Sequence, residues 1–101
     1  MDLQFGNKDL ENLYTTGKSR HYQQNVVKKF FLRVQSLKAA KDIYDLWNLL
    51  SLHFERLSGF SNRFSVRIND QYRLEFEIHF EDEKQTRGLI RILEISKHYG
   101  D

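Results

Sequence analysis

Cysteine and proline are both missing from this 101-residue chain. Without cysteine there are no disulfides and no thiolate metal ligands, and the chain suits a reducing compartment. Without proline there is no stiff linker, as a single compact domain over residues 1–101 would require. No apolar run is long enough to cross a bilayer and no signal-peptide pattern is visible, so the expected location is the cytoplasm, away from membranes. Walker A and Rossmann glycine patterns are absent, which removes the common nucleotide-binding motifs. No G-x-S-x-G elbow supports serine hydrolase chemistry. The four histidines, His21, His53, His79 and His98, have no familiar ligand spacing, so neither a metal nor another cofactor is expected.

A further absence is local. No acidic residue occurs between Glu11 and Asp42, whereas Lys18, Arg20, Lys28, Lys29, Arg33, Lys38 and Lys41 all fall there. The net charge is only +2, but this uneven distribution suits a polyanion or an acidic protein partner; an ordinary solvated helix face is the plain alternative. What is present is a globular composition, 40% hydrophobic and 14% aromatic, enough for one core.

The pattern that organises the chain runs from Arg63 to Ile78. Phe64, Val66 and Ile68 alternate with polar residues, and so do Tyr72, Leu74, Phe76 and Ile78, which is the signature of a half-buried hairpin. Placing Ile68 opposite Tyr72 sends every apolar side chain to one face and sets Arg67 opposite Arg73 and Ser65 opposite Glu75. Directly opposed arginines need an anion nearby. Glu75 and Glu77, as diagonal neighbours, could provide it; so could a bound phosphate.

Before the hairpin the signals are helical. Leu3 and Phe5 fit a short strand. Asn7 or Asp9 can cap a helix through Leu10, Leu13 and Tyr14 that Gly17 ends. A longer helix is predicted over Tyr22 to Ala40, with Val27, Phe30, Phe31, Val34 and Leu37 as its apolar stripe. Asp42 can cap a third helix through Ile43, Tyr44, Leu46 and Trp47. His53 to Leu57 reads as a brief strand or extended loop. After the hairpin, Glu81 to Thr86 is a charged turn. Gly88 to Ile95 is a last strand whose apolar residues do not alternate cleanly, which suits cover on both faces. Helices followed by consecutive strands give an α+β domain, helices on one face of a largely antiparallel sheet.

The hairpin can gather polar groups: His53, Arg56, Arg63, Arg67 and Arg73, with Lys97, His98 and Tyr99 after the last strand. Such groups suit metal-free phosphoryl transfer. One removes a proton from a ribose 2′-hydroxyl, cations stabilise the phosphate oxygens, and another group protonates the leaving oxygen. Each also has a plain structural reading: a loop cap for His53, a core aromatic for Tyr99, a solvated cation for Lys97.

The run Leu52-His53-Phe54-Glu55-Arg56-Leu57-Ser58-Gly59, followed by Phe64-Ser65-Val66-Arg67-Ile68-Asn69-Asp70-Gln71-Tyr72-Arg73-Leu74, resembles the HigB branch of the RelE-like toxins, often described as plasmid-maintenance killer proteins. Asp9 to Gly17 resembles that family's first helix and its glycine stop, and Leu93 to Tyr99 its C-terminal strand. The resemblance implies a RelE-like fold with a curved, largely antiparallel sheet. It implies a ribosome-dependent endoribonuclease cleaving mRNA in the ribosomal A site, an rRNA contact for which Lys28, Lys29 and Arg33 are candidates, and neutralisation by a HigA-like helix-turn-helix antitoxin. By position, Arg73 matches a phosphate-stabilising arginine, His53 the histidine of a Leu-His motif, and Lys97, His98 and Tyr99 the C-terminal catalytic cluster. Arg67, Arg56 and Arg63 are candidate phosphate ligands. Two departures stand out. Many members read Leu-Lys-Gly where this chain has Leu57-Ser58-Gly59, so Arg56 would have to supply that charge. Many end Asp-Tyr-His where this one has Lys-His-Tyr, leaving acid and base unassigned. Arg73→Ala is expected to abolish growth arrest without unfolding the chain. The rival readings are a ParE-like gyrase inhibitor and a non-catalytic antitoxin-binding domain.

Overall fold

The computed structural model describes residues 1–97. Strand β1 (Leu3–Phe5) leads into helix α1 (Lys8–Thr16), helix α2 (Gln24–Ala39) and helix α3 (Ile43–Asn48). A single 3₁₀ turn (Leu50–Leu52) follows, then β2 (Glu55–Arg56), β3 (Arg63–Arg67), β4 (Tyr72–Phe80) and β5 (Gly88–Lys97). Among the described residues no helix is long and apolar enough to cross a membrane.

The expected caps explain where the helices begin and end. The Asn7 side chain accepts the amides of Asp9 and Leu10, and Gly17, at φ 67°, donates its N–H to the Leu13 carbonyl beyond the last turn of α1. Asp42 caps α3 through the amides of Tyr44 and Asp45. The long helix begins at Gln24 rather than Tyr22, with no side-chain cap. Its stripe of Val27, Phe30, Val34 and Leu37 is buried. Phe31 is the exception: it lies at the seam with α1, stacked on Tyr14 at 4.9 Å, and stays half exposed.

The sheet is five-stranded and mixed, in the order β1-β5-β4-β3-β2. Strand β1 pairs parallel with β5, and every other pairing is antiparallel. The hairpin has the expected register, with Arg67 opposite Arg73, Ser65 opposite Glu75 and the Ile68 amide bonded to the Tyr72 carbonyl at 2.9 Å. Phe64, Val66, Ile68, Leu74, Phe76, Ile78, Ile90 and Ile92 therefore share one face and form the core with Leu10, Leu13, Phe30, Val34, Leu37 and Leu46 of the helices. Trimming a fully buried side chain such as Phe76 to Ala would cost about 3–5 kcal/mol.

The uneven pattern of β5 has a cause other than cover on both faces. The ladder pairs Phe76 with Ile92 but Glu75 with Glu94, so Leu93 is an extra residue, a β-bulge. Before it Ile90 and Ile92 face the core; beyond it Ile95 does, and the parity has shifted by one. The carbonyls exposed around the bulge are taken up locally. Gly6 donates to Ile92 at 2.7 Å, and the Asn7 Nδ2 donates to Leu93 at 3.2 Å. Asn7 thus caps α1 with its oxygen and holds the bulge with its nitrogen. At the other end of β5, Gly88 lies so close to β4 that a Cβ there would sit 2.1 Å from the His79 carbonyl, so only glycine fits.

The charged turn between β4 and β5 is more than solvated. The Asp82 carboxylate accepts from the Thr86 hydroxyl and from the amides of Thr86 and Arg87, and the Thr86 carbonyl receives the first amide of α3, from Ile43, at 2.8 Å. The Thr86 hydroxyl above all, aided by those amides, holds the Asp82 carboxyl at about 2 against an ordinary 3.8. A depressed carboxyl pKa gives stability that is complete above the unfolded value and is lost as pH falls through the folded one. Protection of the Arg87 amide, measured against its intrinsic exchange rate at the same pH, should therefore hold above about pH 4 and fall as the pH nears 2. Thr86→Val should raise the Asp82 midpoint in an NMR titration. Separately, Asn7→Ala should lower stability in chemical denaturation by about 1–2 kcal/mol, and Asn7→Asp, which keeps the cap but loses the donor to Leu93, by less.

Candidate RNA-binding face

The sheet face opposite the helices carries the polar residues of the hairpin, and their charges are paired in an orderly way. Arg67 and Arg73 are cross-strand partners, yet their guanidinium groups diverge. Arg67 pairs with Asp70 in the turn. Arg73 is buried, at 7% exposure. It donates Nε to the Ser65 hydroxyl at 2.9 Å and an Nη to the His53 carbonyl at 2.5 Å, with Glu55 3.6 Å away. The expected anions Glu75 and Glu77 are engaged elsewhere. Glu75 binds Arg63 at 2.9 Å, and Glu77 contacts His79. A turn aspartate and a β2 glutamate are the anions paired with the two opposed arginines, because each guanidinium swings away from the other to reach an acceptor.

A third arginine joins at the same end of the hairpin. Arg33, on α2, donates Nε to the Arg67 carbonyl at 2.7 Å. Burial lowers its pKa, and the nearby Arg67 charge lowers it further. A guanidinium remains ionised through such shifts, so Arg33 adds permanent positive charge beside Arg67. Lys28 and Lys29 stand exposed on the same helix.

The other candidates divide between the two faces. Arg63 is tied to Glu75 and Glu94 and lies 4.9 Å from the centre of the Phe60 ring. Arg56 is on the helix side: its strand position faces Phe64, its guanidinium lies 5.7 Å from that ring's centre, and it donates to the Ser61 carbonyl at 2.6 Å. Its strand position thus faces away from the side that Arg73 shares with Ser65 and Glu55. His53 takes a left-handed backbone, φ 46°, after the 3₁₀ turn. That conformation points its carbonyl at Arg73, while the exposed imidazole lines an apolar hollow of about 330 Å³ with Trp47, Leu50 and Phe54. Lys97 is exposed and lies opposite Tyr72, whereas Ser96 is the residue opposite Arg73. His98 and Tyr99 lie outside the described residues. Among those described, no three His, Asp or Glu side chains come together as a metal would need.

Sequence reading missed Glu55. It is a strand position facing Ser65 and brings a half-exposed carboxylate to Arg73. The available signal was parity: if β2 pairs with β3, Glu55 and Arg56 must point to opposite faces.

A family model described as the RelE-like toxin of the type II toxin-antitoxin system HigB matches residues 3–92. The chain belongs to this family of HigB-like toxins. Among solved structures, the YoeB dimer from Staphylococcus aureus is similar over 98% of both chains, with a TM-score of 0.55 and 20% identity. At that identity the likeness speaks for the RelE-like fold. No curated protein matches by sequence. The family match covers the hairpin, His53 and Arg73, and ends before Lys97.

In this HigB-like toxin Arg73 is tied into the fold by the Ser65 hydroxyl and the His53 carbonyl, so Arg73→Ala, expected to leave the chain folded, should still lower its stability. Removing the guanidinium strands the Ser65 hydroxyl and the His53 carbonyl. In urea denaturation Arg73→Ala should lose about 1–3 kcal/mol. His53→Gly keeps the carbonyl and suits the left-handed backbone, so its stability should stay within about 1 kcal/mol of the parent. Any loss of activity in that variant then reports on the imidazole alone.

Proposed function

We propose that this HigB-like toxin is an endoribonuclease that cuts mRNA in the ribosomal A site without a metal. The observation that carries the reading is the grouping of Arg33, Arg67 and Arg73 around one end of the hairpin. A backbone phosphate laid across that end would lie in the combined positive field of the three, with the Arg67 and Arg73 guanidinium groups turned to separate acceptors until it arrives. Arg73 is held by fixed acceptors, so its orientation is set before substrate arrives, which is the condition for stabilising charge that develops only in the transition state.

The reaction divides into three tasks. A base takes the ribose 2′-hydroxyl proton as that oxygen attacks the adjacent phosphorus. The arginines balance the charge gathering on the non-bridging oxygens. An acid then protonates the departing 5′-oxygen, leaving a 2′,3′-cyclic phosphate. Glu55, beside Arg73, and His53 are the described groups suited to taking the proton. Lys97, His98 and Tyr99 are the sequence candidates for the remaining steps. Lys28 and Lys29 would contact rRNA phosphates, which give affinity without reading bases. A HigA-like helix-turn-helix antitoxin would hold the toxin in check.

The test is cleavage of a defined message by purified toxin in the presence of ribosomes, mapped by primer extension. Arg67→Ala should slow cutting by about 100-fold or more while leaving the melting curve nearly unchanged, since Arg67 pairs only with exposed Asp70 among the described side chains. A message that stays intact with the wild-type protein would overturn the nuclease and favour a gyrase inhibitor or a non-catalytic domain.

A further inference from the structure

One exposed ring stands apart from the rest. Among the described residues, the other large apolar side chains left in solvent all fall between Phe31 and Leu50, on the helices and the turn after them. Phe60, 53% exposed, comes instead from the loop between β2 and β3. Its ring lies over the Arg63 guanidinium, with the central carbon 4.9 Å from the ring centre. Arg63 has the strand parity of Ser65 and Arg67, so the ring stands on the polar face of the sheet.

The loop that carries the ring is tied down around it. Arg56 donates to the Ser61 carbonyl at 2.6 Å, and the Leu57 amide donates to the Arg63 carbonyl at 2.8 Å. Asn62 bonds to Ile78 of β4 twice, accepting its amide at 3.3 Å and donating Nδ2 to its carbonyl at 3.4 Å. A side chain presented from a braced loop loses little freedom when something binds to it. Nor does Arg63 need the ring as a partner, since Glu75 and Glu94 already hold its guanidinium at 2.9 and 3.2 Å. Those two carboxylates outweigh the one cation, so a phosphate gains nothing at this end of the face.

The polar face therefore has two unlike ends. Arg33, Arg67 and Arg73 make one cationic, and Phe60 makes the other aromatic. Arg63 and Arg67 are four residues apart on β3, roughly 13 Å, which a few nucleotides span. A strand with a phosphate at the cationic end can lay an unpaired base on the ring. Unpaired bases are flat and uncharged, and they stack on aromatic side chains. A protein interface would ask for a cluster of apolar groups, whereas Arg63, Glu75 and Glu94 surround this ring.

We propose that Phe60 is a stacking platform for an unpaired base of the RNA whose phosphate lies at Arg67 and Arg73. The inference rests on the reading of the chain as a ribonuclease and adds a second point of contact to it. Every base has a π face, so the platform supplies affinity and alignment without choosing a sequence.

The probe is a ribosome-bound message kept whole by 2′-O-methyl groups. Fluorescent 2-aminopurine, which stacking quenches, is placed in turn at each nucleotide of the A-site codon and its neighbours. The wild type should quench it at one position beyond the effect of the ribosome alone. Phe60→Leu, apolar but not flat, should lose that quench. On an ordinary message kcat/KM should fall about 10-fold in Phe60→Leu and stay within about two-fold of wild type in Phe60→Trp. Both variants should keep the wild-type melting curve. A wild type that quenches at no position would overturn the platform, and if it still cuts, the nuclease stands. Phe60→Leu that quenches and cuts like the wild type would have the same meaning. Phe60→Leu that keeps the quench but no longer binds antitoxin would give the ring to a protein partner and overturn the proposal. A wild type that quenches at one position through Phe60 yet cuts no message sustains the platform and removes the nuclease alone.

Discussion

A buried guanidinium must be given acceptors, and the arrangement around Arg73 follows from that need. Ser65 answers from the neighbouring strand, two residues from the cross-strand partner, and the His53 carbonyl answers from the end of the helical half. The second acceptor is available only because His53 adopts a left-handed backbone. Arg73 thereby joins the 3₁₀ turn to the middle of the sheet. The same side chain holds the hairpin in register with its surroundings and offers a fixed positive charge on the polar face. Stability and the proposed phosphate contact draw on one group, so a substitution there would change both.

The two faces of the sheet divide the labour. On one, alternating aliphatic and aromatic side chains pack under three helices. On the other, arginines and glutamates pair in a chain from Glu94 through Arg63 to Glu75, and from Glu55 to Arg73. The more exposed of these pairs, Arg63 with Glu94, contributes little to stability. The pairs do hold long, flexible side chains in defined places. The site is thus a set of cations positioned by local partners that an incoming phosphate could displace or join.

Much of this was readable in advance, and the reasons are physical. The hairpin register followed from side-chain parity, because a slip by one would have exposed Val66 and Leu74. The caps at Asn7, Gly17 and Asp42 followed from the chemistry of unsatisfied helix ends. What stayed hidden depended on tertiary partners. Phe31 sits on the apolar side of its helix by spacing, but its partner is Tyr14 and not the sheet. Arg56 looked like a phosphate ligand until the pairing of β2 with β3 set its face. The anions for Arg67 and Arg73 could not be chosen by proximity along the strand, since a guanidinium swings several ångströms to find its acceptor. The parallel pairing of β1 joins the two ends of the described chain, a contact that no local pattern encodes.

The extra residue at Leu93 works as a phase shifter for everything downstream. With it, Ser96 stands across from Arg73 and Tyr72 looks at Lys97. Were Leu93 paired in its turn instead of bulged out, every later partner would slip by one: Ile95 would meet the arginine, and an oily surface would replace a hydroxyl beside the buried cation. The polarity of that corner is therefore decided a few positions upstream, at the bulge. The Ile92 carbonyl before Leu93 and the Leu93 carbonyl itself are fastened by Gly6 and Asn7, so the start of the first helix keeps the last strand in step.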